Sequence, residues 1–142
     1  MMKRMMGLLV AALALGACTG NRQVTDAADS LAGTSWVLTQ LNGQAPVPVP
    51  DGPAPTLRFR ADEAGGSSGC NSFGGPYTQS GASLRFGPLV STRRACTSEA
   101  ANAQEAAYFR ALESITRAST GGGSLVLYAG DRPVARFRAA AD

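Results

Sequence analysis

Three short segments of the chain repeat one pattern, in which apolar residues alternate with arginine. They have the sequences TLRFR at residues 56–60, SLRF at 83–86 and ARFR at 135–138. Successive side chains of a β-strand point to opposite faces, so the pattern predicts strands with an apolar inner face and a charged outer face. A chain of 142 residues is long enough for one domain built on such strands and too short for two.

Further segments extend the predicted sheet. Residues 35–41 are rich in β-forming residues and stop at the turn dipeptide Asn42-Gly43, and residues 124–138 have the pattern of a hairpin. Residues 44–55 contain five of the eight prolines, which predicts an extended surface loop. The Gly/Ser-rich residues 65–69 predict a turn that leads into an irregular strand.

One segment has a helical pattern. Residues 98–117 contain no Gly or Pro, and apolar residues recur on one helical face at Ala101, Tyr108, Leu112 and Ile115. The predicted fold class is therefore α+β: a curved antiparallel sheet, or partial β-barrel, of about six to seven strands with one α-helix across or inside its opening.

The N-terminus has the pattern of an export signal. Lys3 and Arg4 precede the uncharged residues 5–17, and this apolar stretch is too short to span a bilayer as a helix. Residues 15–18 (LGAC) resemble a bacterial lipobox, which implies cleavage before Cys18 and its lipidation; the alternative is an ordinary secretory signal. The expected organisation is a lipoprotein signal peptide at residues 1–17, a flexible tether at 18–30 and one domain at 31–139.

Two cysteines remain after Cys18, and an exported protein meets an oxidising compartment. Cys70 and Cys96 are therefore predicted to form a disulfide. A metal pair and a catalytic thiol are the competing interpretations. The first lacks histidine and close ligand spacing, and the second lacks an evident base.

Composition excludes several kinds of function. The chain has no histidine, which excludes serine–histidine and cysteine–histidine catalysis within it. Removal of residues 1–17 leaves 11 basic and 10 acidic residues, a net charge of +1, which argues against nucleic-acid binding. We expect no cofactor, no metal and no catalytic residue.

Four segments together resemble the META domain, the HslJ-like family of bacterial envelope proteins. They are residues 33–38 (GTSWVL), 69–77 (GCNSFGGPY), 91–96 (STRRAC) and 105–112 (EAAYFRAL). The resemblance covers about residues 31–139. It implies a small curved antiparallel sheet with one helix, an association with heat-shock or envelope stress and novobiocin-type antibiotic tolerance, and no established reaction.

The expected function is that of a non-catalytic lipoprotein on the periplasmic face of the outer membrane. Its monomeric domain is expected to bind a partner protein or a small apolar ligand, while the lipid on Cys18 anchors the protein to the membrane. Candidate rim contacts are Trp36, Asn71, Tyr77 and Tyr128, although a core role for Trp36 and a tight bend at Gly69-Cys70-Asn71 are the alternatives. The alternative function is a small periplasmic enzyme that uses carboxylate, Ser or Tyr chemistry.

Overall fold

The computed structural model describes residues 29–50 and 52–141. The predicted signal peptide, Cys18 and all of the predicted tether except residues 29 and 30 lie outside these residues. Within the part that is described, no helix has both the length and the hydropathy that are needed to cross a membrane.

The described chain consists of nine strands and one helix. In chain order these are β1 Ser35–Leu41, β2 Thr56–Phe59, β3 Glu63–Ser67, β4 Ser72–Ser80, β5 Ser83–Phe86, β6 Val90–Ser91, α1 Glu99–Glu113, β7 Arg117–Gly121, β8 Ser124–Ala129 and β9 Arg132–Ala139. All pairings between the strands are antiparallel.

The strands form a closed barrel. Their order is β3-β2-β1-β9-β8-β7-β5-β4, and β4 pairs again with β3, which completes a ring of eight. The short β6 adds to β4 beside the ring. The prediction of a partial barrel or curved sheet of six to seven strands was therefore wrong, because this sheet has no open edge between β3 and β4.

The additional strands come from segments whose sequences do not indicate strands. The Gly/Ser-rich passage that predicted a turn contains the last three residues of β3, where Gly65 pairs with both Arg58 and Gly74. The end of the predicted helix contains the first residue of β7, because α1 stops at Glu113 and Ser114 forms its C-cap. The alternating segments are confirmed as strands, with Leu57 and Phe59 buried and Arg58 exposed.

Side chains fill the barrel, and both of its ends are closed. Tyr108 of α1 is fully buried against Phe73 and Phe137, so the helix closes one end. At the other end Leu31 is 1% exposed, and its backbone N–H donates to Gln79 Oε1 at 2.9 Å. Ligand contacts are therefore expected on the outside of the barrel.

Candidate functional site

A buried polar cluster centres on Asn71, which lies immediately before β4 and is 4% exposed. Its Oδ1 accepts hydrogen bonds from Thr92 Oγ1 at 2.9 Å and from the Arg94 backbone N–H at 2.7 Å. Its Nδ2 donates to the Arg94 carbonyl at 2.8 Å and to Glu105 Oε1 at 2.6 Å. These four contacts use both donors and both acceptor positions of the amide, so Asn71 has none left for a ligand.

The carboxylate of Glu105 is held on both oxygens. Glu105 lies in α1 and is half-buried, and its second oxygen, Oε2, accepts from Ser68 Oγ at 2.9 Å. The neighbouring Gln104 fastens the proline-rich loop, since its Oε1 accepts from the Val47 N–H at 2.6 Å. One turn of α1 therefore fixes the turn before β4 and the loop between β1 and β2.

The predicted disulfide between Cys70 and Cys96 is confirmed. The two Cα atoms are 5.4 Å apart across a sequence separation of 26. The backbone N–H of Cys96 donates to Asn102 Oδ1 at 2.8 Å, and Asn102 Nδ2 donates to the Cys96 carbonyl at 3.0 Å. The bond therefore links the turn before β4 to a segment that is itself hydrogen-bonded to α1.

An open pocket of about 220 Å³ gives access to this disulfide. One wall comes from the proline-rich loop, and the other from the two cysteine segments. The lining residues are Val49, Pro50, Gly52, Pro53, Gly69, Cys70, Arg94, Ala95, Cys96 and Thr97.

A larger open groove of about 410 Å³ runs over β2, β3 and the start of β4. Exposed Arg58 and Arg60 line it, with the glycine backbone at Gly65 and Gly66 beside them. A Cβ atom on Gly66 would lie 2.5 Å from the Thr56 carbonyl oxygen, so only glycine allows β3 to approach β2 so closely. Glu63 is the only acidic side chain in the lining, so the groove has a net positive charge.

Trp36 lies at the end of the barrel opposite the helix and is 7% exposed. Its Nε1–H donates to Thr34 Oγ1 at 2.7 Å. It borders an open cavity of about 270 Å³, together with Leu31 and the glycine turn between β7 and β8. The indole is therefore mainly part of the core, with one edge at this cavity.

The two candidate tyrosines have different surroundings. Tyr77 is packed edge-on against Phe59, and its hydroxyl donates to the Arg60 carbonyl. Burial, and secondly the charge of Asp62, raises the pKa of the Tyr77 phenol. Tyr128 is half-buried in β8, and the Arg117 guanidinium carbon lies 3.9 Å from the centre of its ring.

The polar contacts do not join the four candidate rim residues into one site, because each residue bonds to different partners. These residues are Trp36, Asn71, Tyr77 and Tyr128. Nothing in the sequence indicated that Glu105 joins the buried polar cluster or that Arg58 and Arg60 line a groove. Glu105 had no signal because its partners lie 34 and 37 residues away. The alternation did place both arginines on the outer face, but it could not show that glycines beside them leave a groove.

Comparisons with known proteins give a family from a sequence profile and similar folds from two solved structures. The sequence profile of the META domain matches residues 29–141. The solved NMR structure of a protein from Burkholderia xenovorans is similar, at 32% identity and a TM-score of 0.65, over 79% of this chain and 85% of that one. A second NMR structure, at 23% identity and a TM-score of 0.61, covers 76% of this chain and 90% of its own and supports the fold alone. No curated protein matches the chain.

Proposed function

The chain belongs to the META domain family, and on that premise we propose that it is a non-catalytic binding module of the cell envelope that holds an acidic segment of a partner protein. The observation that carries this proposal is the groove over β2–β4, where Arg58 and Arg60 stand beside a glycine backbone. An open groove beside backbone suits an extended peptide, and guanidinium groups suit carboxylates.

The charge of the barrel wall supports an acidic partner. The nine strands contain six arginines but one acidic residue, Glu63, whereas α1 contains three glutamates. Arg58 faces Ser35 and Gly65 in the neighbouring strands, and Arg138 faces Val37 and Ser124, so no carboxylate lies opposite either of them in the sheet. A positive wall attracts an acidic segment and orients its approach.

The burial of hydroxyl groups favours binding over the alternative of a small periplasmic enzyme. Among the described residues, the one hydroxyl that is hydrogen-bonded to a carboxylate is Ser68, on Glu105 at 2.9 Å. Ser68 is 1% exposed, and its oxygen also contacts the Asn71 carbonyl at 3.2 Å. A substrate therefore has no direct route to the Ser68 hydroxyl, which with Glu105 is the nearest arrangement to an activated nucleophile.

A fluorescent decapeptide of glutamate, with the glutamine decapeptide as the uncharged probe, tests the proposal by anisotropy. We expect R58Q/R60Q to weaken binding of the acidic peptide by about tenfold, since two guanidinium contacts are lost. The matched control is R136Q/R138Q, which removes two exposed arginines of β9 that do not line the groove. Equal losses in the two variants would mean diffuse charge attraction and would overturn the assigned groove.

We further propose that the lipid on Cys18 anchors this module to the periplasmic face of the outer membrane, where it contributes to tolerance of heat shock and novobiocin-type antibiotics. The anchor rests on the lipobox resemblance and the stress role on the family. Mass spectrometry of the membrane fraction tests the first, and an unmodified Cys18 would contradict it. For the second, R136Q/R138Q is expected to restore tolerance to a deletion strain where R58Q/R60Q does not.

A further inference from the structure

A cluster of metal-ligating atoms lies at the disulfide, whose pocket shares no lining residue with the arginine groove. The sulfur atoms of Cys70 and Cys96 and a carboxylate oxygen of Glu105 all lie within 4.8 Å of one another. The large sequence separation of the cysteines argued against a metal pair. In the folded chain, however, their Cα atoms are only 5.4 Å apart. The fold also adds a carboxylate from α1 as a third ligand.

Glu105 is held where it faces the sulfur atoms. Ser68 donates to one carboxylate oxygen and Asn71 to the other. Asn71 is fixed in turn by Thr92 and by the backbone of Arg94. Outer partners of this kind orient the carboxylate ligands of metal ions and raise their affinity.

The cluster can be reached from solvent. Cys70 is half-buried, and both cysteines line the open pocket of about 220 Å³. A reductant of small size and a hydrated cation therefore have a route to the sulfur atoms. The pocket also leaves room for water as a further ligand beside the three protein atoms.

We propose that reduction of the Cys70–Cys96 disulfide creates a binding site for a thiophilic divalent cation, formed by the two Cys Sγ atoms and the Glu105 carboxylate. A dithiol reductant supplies two electrons and two protons, becomes a disulfide itself and leaves two thiols on the protein. The cation then displaces the two thiol protons to solvent and is bound by two thiolates and one carboxylate. This donor set suits Zn²⁺ and Co²⁺.

The bound cation replaces the disulfide as the link between two segments of the fold. In the oxidised protein the sulfur bond fastens the turn before β4 to the segment that leads into α1. In the reduced protein the cation joins the same two segments and adds Glu105 from the helix itself. The domain is therefore expected to keep its fold when it is reduced and metal-bound, as it does when the disulfide is formed.

Titration of the full chain carrying Cys18→Ser, with Co²⁺ and then Zn²⁺, tests this inference. The protein is reduced with dithiothreitol, which is removed under anaerobic conditions. We expect one equivalent of Co²⁺ to give a thiolate-to-cobalt absorption band, and one equivalent of Zn²⁺ to abolish this band by displacing the cobalt. The oxidised protein should show no such band. Absence of stoichiometric binding by the reduced protein would overturn the proposal.

The variant Glu105→Gln tests the third ligand, and we expect it to bind Zn²⁺ at least about tenfold more weakly. The matched control is Glu99→Gln, at an exposed position in the first turn of the same helix, and its affinity should not change. Equal affinity in the Glu105 and Glu99 variants would overturn the assigned site. If the reduced chain unfolds, recovery of its circular dichroism on addition of Zn²⁺ supports the proposal, and failure to recover overturns it.

Discussion

Tyr108 places a phenol in the packed centre of the barrel. The residue is fully buried, and its hydroxyl donates to the Thr56 carbonyl at 2.9 Å. Burial raises the pKa of this phenol above the value of an exposed tyrosine, because the phenolate would be poorly solvated. Above about pH 10 the unfolded chain therefore releases the proton while the folded chain keeps it, and stability falls as the pH rises.

Tyr108→Phe should cost about 1 kcal/mol of unfolding free energy at neutral pH, through the lost hydrogen bond. It should also reduce the loss of stability at high pH, because one buried phenol no longer titrates. Urea unfolding at about pH 8 and about pH 11 measures both effects. The control is Tyr128→Phe on the outer wall, and an unchanged alkaline loss in the Tyr108 variant would contradict the prediction.

The type of a residue indicated which bonds it would form, but it did not indicate whether the residue would lie at the surface or inside the fold. Cys70 and Cys96 were paired correctly because, once Cys18 is set aside as the predicted lipidation site, the two cysteines that remain can pair in only one way. Asn71 was a candidate surface contact, yet its side-chain amide is fully hydrogen-bonded to Thr92, Arg94 and Glu105. A short motif cannot show which polar residue will be enclosed when distant segments meet above it.

At the scale of elements, β3 shows how a strand can lack a strand sequence. Glu63–Ser67 has the sequence EAGGS, with glycine at positions 65 and 66. Glycine is depleted in ordinary strands. Here the missing side chains let β3 lie tightly between β2 and β4, as shown by the 2.6 Å between a Cβ placed on Gly65 and the Phe73 carbonyl oxygen. Composition alone indicated a turn, because a close approach between backbones depends on the partner strands.

Gly66→Ala should destabilise the domain by about 1 to 3 kcal/mol, because the new methyl group would clash with the Thr56 carbonyl. Gly121→Ala is the matched control at the end of β7. A Cβ there meets nothing within 4 Å, and we expect a change within about 0.5 kcal/mol. Chemical denaturation of both variants provides the measurement, and equal effects would show that the contact between β2 and β3 yields without cost.

The helix was predicted correctly in place and four residues too long at its C-terminus. Ser98 caps its start, where its Oγ accepts from the Ala101 N–H at 3.2 Å. Ile115 fits the helical apolar spacing and is buried, but it lies beyond the C-cap at Ser114, in the segment that leads into β7. A buried residue that follows a helix at the helical interval cannot be distinguished by spacing from a residue within it.

At the scale of the whole molecule, the alternating segments predicted a sheet around one core but left its closure undecided. Closure depends on the pairing of β3 with β4 and on β7, which meets β5 at the register pair Ser83 and Arg117. Neither contact has a sequence signal of its own. The distribution of charge, by contrast, follows directly from the sequence, because outward positions of the strands carry arginine and the helix carries glutamate.

The pairing of β1 with β9 brings the two ends of the described chain to the same side of the barrel. Trp36 lies opposite Ala139, and the Ala140 N–H donates to the Ser35 carbonyl at 2.9 Å. A linker of about six residues should therefore join residue 141 to residue 31, with new termini opened between Gly122 and Gly123. We expect this circular permutant to fold with the same far-UV circular dichroism and to retain the disulfide. A permutant that fails to fold would contradict this expectation and would show that closure of the ring depends on a continuous β7–β8 turn.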